Sequence, residues 1–363
     1  MRDAESIRRR PGMYIGDTRD GLGLMHMLWE VVANSLDEHL AGRCSTVNVE
    51  LEGRAVTVED DGRGIPLEPI NGVPFAQQAL TSFHDTPTLD GHAPHEHIGK
   101  VGLGLFPICA LSSELRLVVR RDGRCFSQQF SRGVATSILR DDGPTSSRGT
   151  KITFVPDDSI FKVARLDAAR VAERLHELAF LLPKLTLSLR DEHLQTFSEP
   201  EGLLSLVKSK VPLELREGST LLASKTFGQI NVELAGIWSS DGAARVDSFA
   251  NIERTSDGGT HVDGFRSGLL AGLKRAAPDL CAKYPARQLL RALWDGLTAA
   301  VCVRLRDPNY DRPTRSRLVT PEARRAVRRC TAEAFAEHLL QKSELLDRIE
   351  TALEGRGPTL QPT

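Results

Sequence analysis

VEDDGRGIP, residues 58–66, carries an alternating apolar run onto two aspartates and then breaks it with Gly62 and Gly64. A carboxylate at a strand end can accept a hydrogen bond from an exocyclic amine. The glycines let a flat ring approach the backbone, with Ile65 and Pro66 as an apolar wall. Asp-Gly at this place also reads as a plain turn. GKVGLG, residues 99–104, sets Gly99, Gly102 and Gly104 ahead of the helical run LFPICALSS, where backbone N–H groups and the helix dipole favour a phosphate. Its spacing matches neither the Walker loop nor the Rossmann fingerprint. In RGTKITF, Thr150 begins a strand and has a hydroxyl for the same ring that Asp60 would hold.

A fourth polar group sits in WEVVANSLDE, residues 29–38, where Glu30, Asn34, Asp37 and Glu38 interrupt an apolar run. At about 100° per residue, Glu30, Asn34 and Asp37 fall within roughly 60° of one another, with Leu28, Val31, Val32 and Leu36 opposite. Any amphipathic helix has a polar face, so the patch alone is equally a solvated surface. Taken in chain order with the other three pieces, it completes a nucleotide site.

The elements that must position these residues follow from periodicity. A helix is expected over Leu24 to Leu40, after the turn-rich RRRPGMYIGDTRDGLG, then a hairpin of TVNVELEG and RAVTVEDDG. Residues 83–98 lack apolar periodicity and read as a long mobile loop. LRLVVRRDG, CFSQQFSRG and GTKITFVP read as strands, LDAARVAERLHELAFLLP as a helix and LTLSLRDE as a strand. A first domain is expected to end near residue 200. The second, residues 201–355, opens with strands around INVELAGIW and RVDSFANI. It turns at SDGGTH, continues as a helix from Val262 and closes on helices from Pro321 to Leu353; residues 356–363 are expected to be a disordered tail.

The 363 residues, 40% hydrophobic and 26% charged, have the profile of a soluble globular protein, and no apolar run approaches the ~20 residues of a membrane span. A net charge of -1 excludes a general polyanion binder, yet nine arginines between Arg304 and Arg329 face only three acids. Six scattered cysteines without a C-x-x-C pair fit a reduced cytoplasm. His84, His92, His95 and His97 match no closed zinc ligand set.

In this order, RRRPGMYIGD, EVVANSLDE, DDGRGIP, the glycine-ended loop, RGTKITF, SDGGTHVDGFR and DPNYDRPTRSRL resemble the ATPase half of bacterial DNA gyrase B and its topoisomerase IV counterpart. The resemblance implies an α+β chain: a GHKL-type ATPase α/β sandwich, then a transducer domain with a ribosomal-protein-S5-like fold. It implies ATP and Mg²⁺ as cofactors, with Glu30 as the base acting on the attacking water and Asn34 giving an oxygen to the metal. Asp60 would bind the adenine amino group with Thr150. Arg63, Gly64, Ile65 and Pro66 would line the pocket, and Gly99, Gly102 and Gly104 would hold the phosphates. Asp37 and Glu38 take supporting places. Arg315 would reach the γ-phosphate from the transducer, and the arginine-rich segment would contact DNA without reading its sequence. An ATP-dependent homodimer and a separate cleavage subunit are the implied partners.

The chain departs from that pattern in places. Pro313-Thr314-Arg315 stands where Gln-Thr-Lys is usual, keeping the charge but losing a donor and an N–H, which points to weaker coupling. Ala33 replaces an aspartate, Lys100 and Val101 a leucine and a histidine, and Ser127 a pocket-mouth arginine. Few residues precede RRRPGMYIG, and no E-G-D-S or D-x-D motif occurs, so the expectation is a clamp with a short arm and no cleavage machinery of its own. The competing reading is a stand-alone nucleotide-binding regulatory or decoy protein with little turnover.

Overall fold

Alternation in TVNVELE and AVTVED makes them antiparallel neighbours, β1 (Thr46–Glu52) and β2 (Ala55–Asp60), joined through Gly53 at φ +60°. The computed structural model describes residues 3–83, 104–163, 165–240, 242, 244–312, 314–342 and 344–355. The chain divides into two compact units, Met1–Glu199 and Pro200–Thr363.

The first unit continues with the two-residue ribbon β3 (Pro69–Ile70) and β4 (Val73–Pro74), then β5 (Ser112–Arg121), β6 (Arg124–Ser131) and β7 (Val134–Ala135). β8 (Arg140–Pro144), β9 (Gly149–Pro156), β10 (Thr186–Arg190) and β11 (Leu194–Phe197) follow. Nine of these strands form a mixed sheet in the order β11-β10-β1-β2-β9-β5-β6-β7, with β8 on β6. Among its described pairs, β1 and β10 alone run parallel. Its helices are α1 (Ala4–Arg9), α2 (Gly12–Ile15), α3 (Leu22–Leu40), α4 (Phe75–Thr81), α5 (Leu105–Ala110) and α6 (Ala168–Leu181). α3 packs on β2, α5 on β5 and α6 on β10. Period two buries Val56, Val58 and Asp60 on one face of β2, and Thr150, Ile152 and Phe154 on the same face of β9.

The turn-rich segment RRRPGMYIGDTRDGLG holds the end of α1 and all of α2 and is irregular only over residues 10–11 and 16–21. Asp3 caps α1 by accepting the Ser6 N–H at 2.8 Å, and burial of Ile7 and Ile15 holds α1 and α2 against the core. Tertiary burial overrides weak local propensity here.

In the second unit β12 (Arg216–Phe227), β13 (Ile230–Ser239), β14 (Arg245–Ala250), β15 (Glu253–Arg254) and β16 (Leu297–Arg304) form a sheet in the order β12-β13-β16-β14-β15. β12 has no clear alternation, which hides it in the sequence. The helices are α7 (Leu203–Lys210), α8 (Thr260–Ala276), α9 (Pro278–Lys283), α10 (Ala286–Trp294), α11 (Pro321–Gln341) and α12 (Glu344–Glu354). α8 starts two residues before Val262, because Gly258 and Gly259, at φ +66° and +132°, turn the chain so that the Thr260 N–H reaches Leu318 O at 2.9 Å. Trp238 is fully buried, stacks on Phe335 and donates its Nε1–H to Leu293 O at 2.9 Å, as a packing residue does.

Gly264, Gly268 and Gly272 form a stripe along α8 against α11. A Cβ at Gly268 would stand 2.5 Å from Thr331 Cβ and 2.8 Å from Arg328 O, so only glycine allows the two backbones to approach this closely. The same packing turns Ala323, Val327 and Cys330 inward and leaves Arg324, Arg325, Arg328 and Arg329 exposed. Among the described residues no helix is long and apolar enough to cross a membrane. Gly268→Ala is expected to force α8 and α11 apart and cost about 1–3 kcal/mol, read as a lower urea midpoint. Gly12→Ala, where an added Cβ meets nothing within 4 Å, is the neutral control.

Candidate functional site

Asp60 ends β2 on the buried face, only 9% exposed. Its Oδ1 accepts the N–H groups of Gly62 at 2.9 Å and Thr150 at 3.2 Å, and its Oδ2 accepts the Ser35 hydroxyl at 2.8 Å. Two lone pairs are thus used on Oδ1 and one on Oδ2, leaving the carboxylate one acceptor position. Burial pushes its carboxyl up to about 6; the three donors oppose that rise and nearby Glu38 adds to it. Two glycines beside it leave no room for a side chain. A Cβ at Gly149, φ +118°, would lie 1.8 Å from Asp60 O, and one at Gly62 would lie 2.9 Å from Asp60 Oδ1.

Above Asp60 opens a cavity of about 80 Å³ with mostly apolar walls. α3 contributes Val31, Asn34, Ser35 and Glu38, at the i, i+3, i+4, i+7 spacing of one helix face. This shifts the expected face by one stripe. Val31, placed opposite the polar patch in the sequence reading, faces the cavity, whereas Glu30 and Asp37 are buried beside it and are not among its lining residues. Neither is solvated, because α3 is covered on more than one side.

Arg63, Gly64, Ile65 and Pro66 all line the cavity. Arg63 is held by Glu38, with Nη2 to Oε1 at 2.9 Å and Nε to Oε2 at 3.2 Å. Gly64 is required by the protein itself: its φ is +82°, and a Cβ would meet Arg120 O at 2.9 Å. Thr150 Oγ1 accepts the Ile65 N–H at 3.2 Å, tying the strand to the loop and leaving the hydroxyl proton to be donated. Gly104, φ +71°, and Leu105 close another side at the start of α5.

Asn34 Nδ2 donates to Glu30 O at 2.9 Å, so its amide oxygen is the atom it can offer a cation. Among the described residues no group of three His, Cys, Asp or Glu side chains could hold a metal. A lone amide oxygen of Asn34 fits an ion such as Mg²⁺, which takes one or two protein oxygens and fills its sphere with water and phosphate.

Gly99, Gly102, the four loop histidines and Pro313 lie outside the described residues. Arg315 belongs to the second unit. There its guanidinium lies 3.5 Å from Glu253 Oε1 and 6.0 Å over the Tyr310 ring, on a backbone at φ +58°. Ser127 is buried on β6 and is not among the lining residues. Arg304 is engaged within the sheet by Glu233 at 2.5 Å, and so drops out of the exposed arginine surface. Ser35, Gly149, Phe75 and Ala79 were missed as site residues. For Ser35 the signal was available, one residue after Asn34 and one turn from Val31. Phe75 and Ala79 are contributed by α4, a seven-residue helix with no distinctive motif.

Residues 19–160 match the family model for histidine kinase-, DNA gyrase B-, and HSP90-like ATPases, and residues 201–354 match that for DNA gyrase B. The chain is 33% identical over 352 residues to the DNA gyrase B of Helicobacter pylori, covering 93% of this chain and 45% of that protein. It is 33% identical over 368 residues to the B-type subunit of the type 2 topoisomerase of Aquifex aeolicus, covering 96% and 45%. The chain thus spans about half the length of these relatives. The 43K ATPase domain of Thermus thermophilus gyrase B, solved with an aminocoumarin, superposes with a TM-score of 0.84 at 30% identity, covering 97% of this chain and 94% of that one. With a GHKL-type ATPase domain followed by a gyrase B transducer domain, the chain belongs to the family of DNA gyrase B and topoisomerase IV ATPase subunits.

Proposed function

We propose that this chain binds and hydrolyses ATP as the clamp module of a gyrase B-like type IIA topoisomerase. Residues 1–200 would act as the ATPase domain and 201–355 as the transducer. The observation that carries the proposal is the single acceptor position left on Asp60 in a mostly apolar cavity, which suits the exocyclic amine of adenine and rejects the carbonyl of guanine. Thr150 shares that edge through its hydroxyl, and Ile65, Pro66 and Gly64 flank the ring. Arg63, braced by Glu38, borders its outer side.

Asn34 would hold Mg²⁺ through its amide oxygen, and the ion would supply charge neutralisation for the phosphates. Glu30, one helical turn before Asn34, orients and deprotonates the attacking water. Gly99, Gly102 and Gly104 present N–H groups to the phosphates. Arg315 serves as the transducer's contact to the γ-phosphate; exchanging the half-exposed Glu253 pair for a phosphate loses little, since such pairs contribute about 0–1 kcal/mol. The protein is cytoplasmic, dimerises when ATP binds and works with a cleavage subunit.

Calorimetry should find ATP binding and no GTP binding; equal affinity for both would remove the adenine assignment. Glu30→Ala is expected to retain ATP binding and lose turnover, whereas Asp60→Asn loses binding, because an amide nitrogen turned to the ring opposes donor to donor.

Protonation of Asp60 adds a pH signature. Its carboxyl lies near 6 in the folded chain, above the ordinary carboxylate value, so between those values the folded state holds a proton that the unfolded chain has released. Stability of the empty protein therefore falls as pH rises through this window. ATP needs the ionised acceptor, so its affinity falls as pH drops below about 6, which a calorimetric pH series would read.

DNA is proposed to contact the exposed face of α11. Arg325 and Arg329 there have acidic partners, Glu322 at 2.9 Å and Glu333 at 3.0 Å, which moderates the local charge. Binding is expected to be weak, independent of sequence and steeply salt-dependent. Replacing Arg324, Arg325, Arg328 and Arg329 together by glutamine should abolish DNA stimulation of turnover at unchanged basal rate. Full stimulation in that variant would exclude this face.

A further inference from the structure

Away from the cavity, a second buried carboxylate gathers three segments. Asp157, in the turn after β9, has a fully buried side chain. Its Oδ2 accepts Arg8 Nη2 at 2.6 Å and Arg132 Nε at 2.8 Å, and its Oδ1 accepts the Ser159 N–H at 2.9 Å and hydroxyl at 2.7 Å. Burial alone would raise this carboxyl; Ser159, Arg8 and Arg132 override it and hold the group well below the usual carboxylate range. Arg8 is a bridge: its other terminal nitrogen, Nη1, donates to Ala110 O, the last residue of α5, at 2.9 Å. The Asp157 N–H donates to Leu111 O at 3.0 Å, just beyond the same helix end.

Packing repeats the connection. Gly133, at φ +84° in the turn that carries Arg132, has no room for a side chain: a Cβ would lie 2.5 Å from Ala4 Cβ in α1 and 3.2 Å from Ala110 Cα in α5. α1, α5 and the Arg132–Gly133 turn therefore meet at van der Waals contact around one ionic hub. α5 is buried along all six residues and about 9 Å long, a single rigid piece. Its first residue, Leu105, and the preceding Gly104 form cavity wall, while its last residue is bonded to Arg8.

We infer that Asp157 is a positioning residue that ties α1 to α5, so that occupation of the cavity is felt at residues 4–9. The inference rests on the nucleotide reading of the cavity. A ligand that settles against Gly104 and Leu105 orders the start of α5, and the far end can follow only by carrying Arg8 and α1 with it. Loosening the hub disconnects the two. Removing the Asp157 charge strands two cations against a buried amide, and Arg8→Lys keeps a cation there but cannot reach both acceptors.

The test is hydrogen exchange on the full chain with and without a non-hydrolysable ATP analogue, beside calorimetry of analogue binding. In the wild type, amides of residues 4–9 should gain protection when the analogue binds. In Asp157→Asn and in Arg8→Lys that gain should disappear, with affinity about fivefold weaker, the low end of ordinary coupling between sites. A merely structural role lowers the melting temperature and leaves the analogue-induced gain in place. Should Asp157→Asn fail to fold, Arg8→Lys and the wild type decide. Analogue binding without any change at residues 4–9 in the wild type, or with the same gain in the folded variants, overturns the coupling and leaves the nucleotide reading standing. No analogue binding to the wild type overturns both.

Discussion

A carboxylate held out of water at the end of β2 governs the geometry of the first unit. Burying Asp60 is costly unless its oxygens are satisfied, and the chain satisfies them from three separate elements: Ser35 on α3, Gly62 in the following loop and Thr150 on β9. Each donor sets a position. The hydroxyl of Ser35 fixes how α3 lies across the sheet and thereby brings Asn34 and Glu38 to the cavity. The Thr150 N–H demands that β9 come so close that Gly149 has no alternative. An apolar residue at 60 would release these constraints together, and the cavity would have no reason to keep its shape.

Much of this was legible in the sequence because the signals are local. The β1–β2 hairpin, β9, α3 and α6 announce themselves by periodicity, and Asp60, Gly64, Ile65 and Pro66 stand in one contiguous motif. Physical reasons also account for what was hidden. α1 and α2 are too short to show a period and exist through burial of Ile7 and Ile15. β12 lies at an edge of its sheet, and its sequence shows no clear alternation. The orientation of α3 was misread by one stripe because helical geometry gives the faces and not which face the sheet takes. Val31 therefore lines the cavity beside Asn34, and Glu30, expected on the polar face, is buried.

The two units solve the problem of close approach in different ways. In the first, polar hubs at Asp60 and Asp157 draw segments together through charge and hydrogen bonds. In the second, a glycine stripe lets α8 and α11 touch backbone to backbone, and the reward is a long exposed face with arginines in adjacent pairs. Apolar contact accounts for most of that unit's cohesion: Trp238, Phe265 and Phe335 sit fully buried at its centre.

The lack of room for any Cβ at Gly149, which would lie 1.8 Å from Asp60 O, bears on how such a protein can vary over generations. Replacing Gly149 or Gly62 at the floor of the cavity would damage the fold before it altered the cavity, so substitutions that spare the fold are expected at the rim, where Arg63 and Ile65 are only half-buried. A small molecule whose contacts stop at the floor would leave a population few escape routes; one that leans on the rim would leave many.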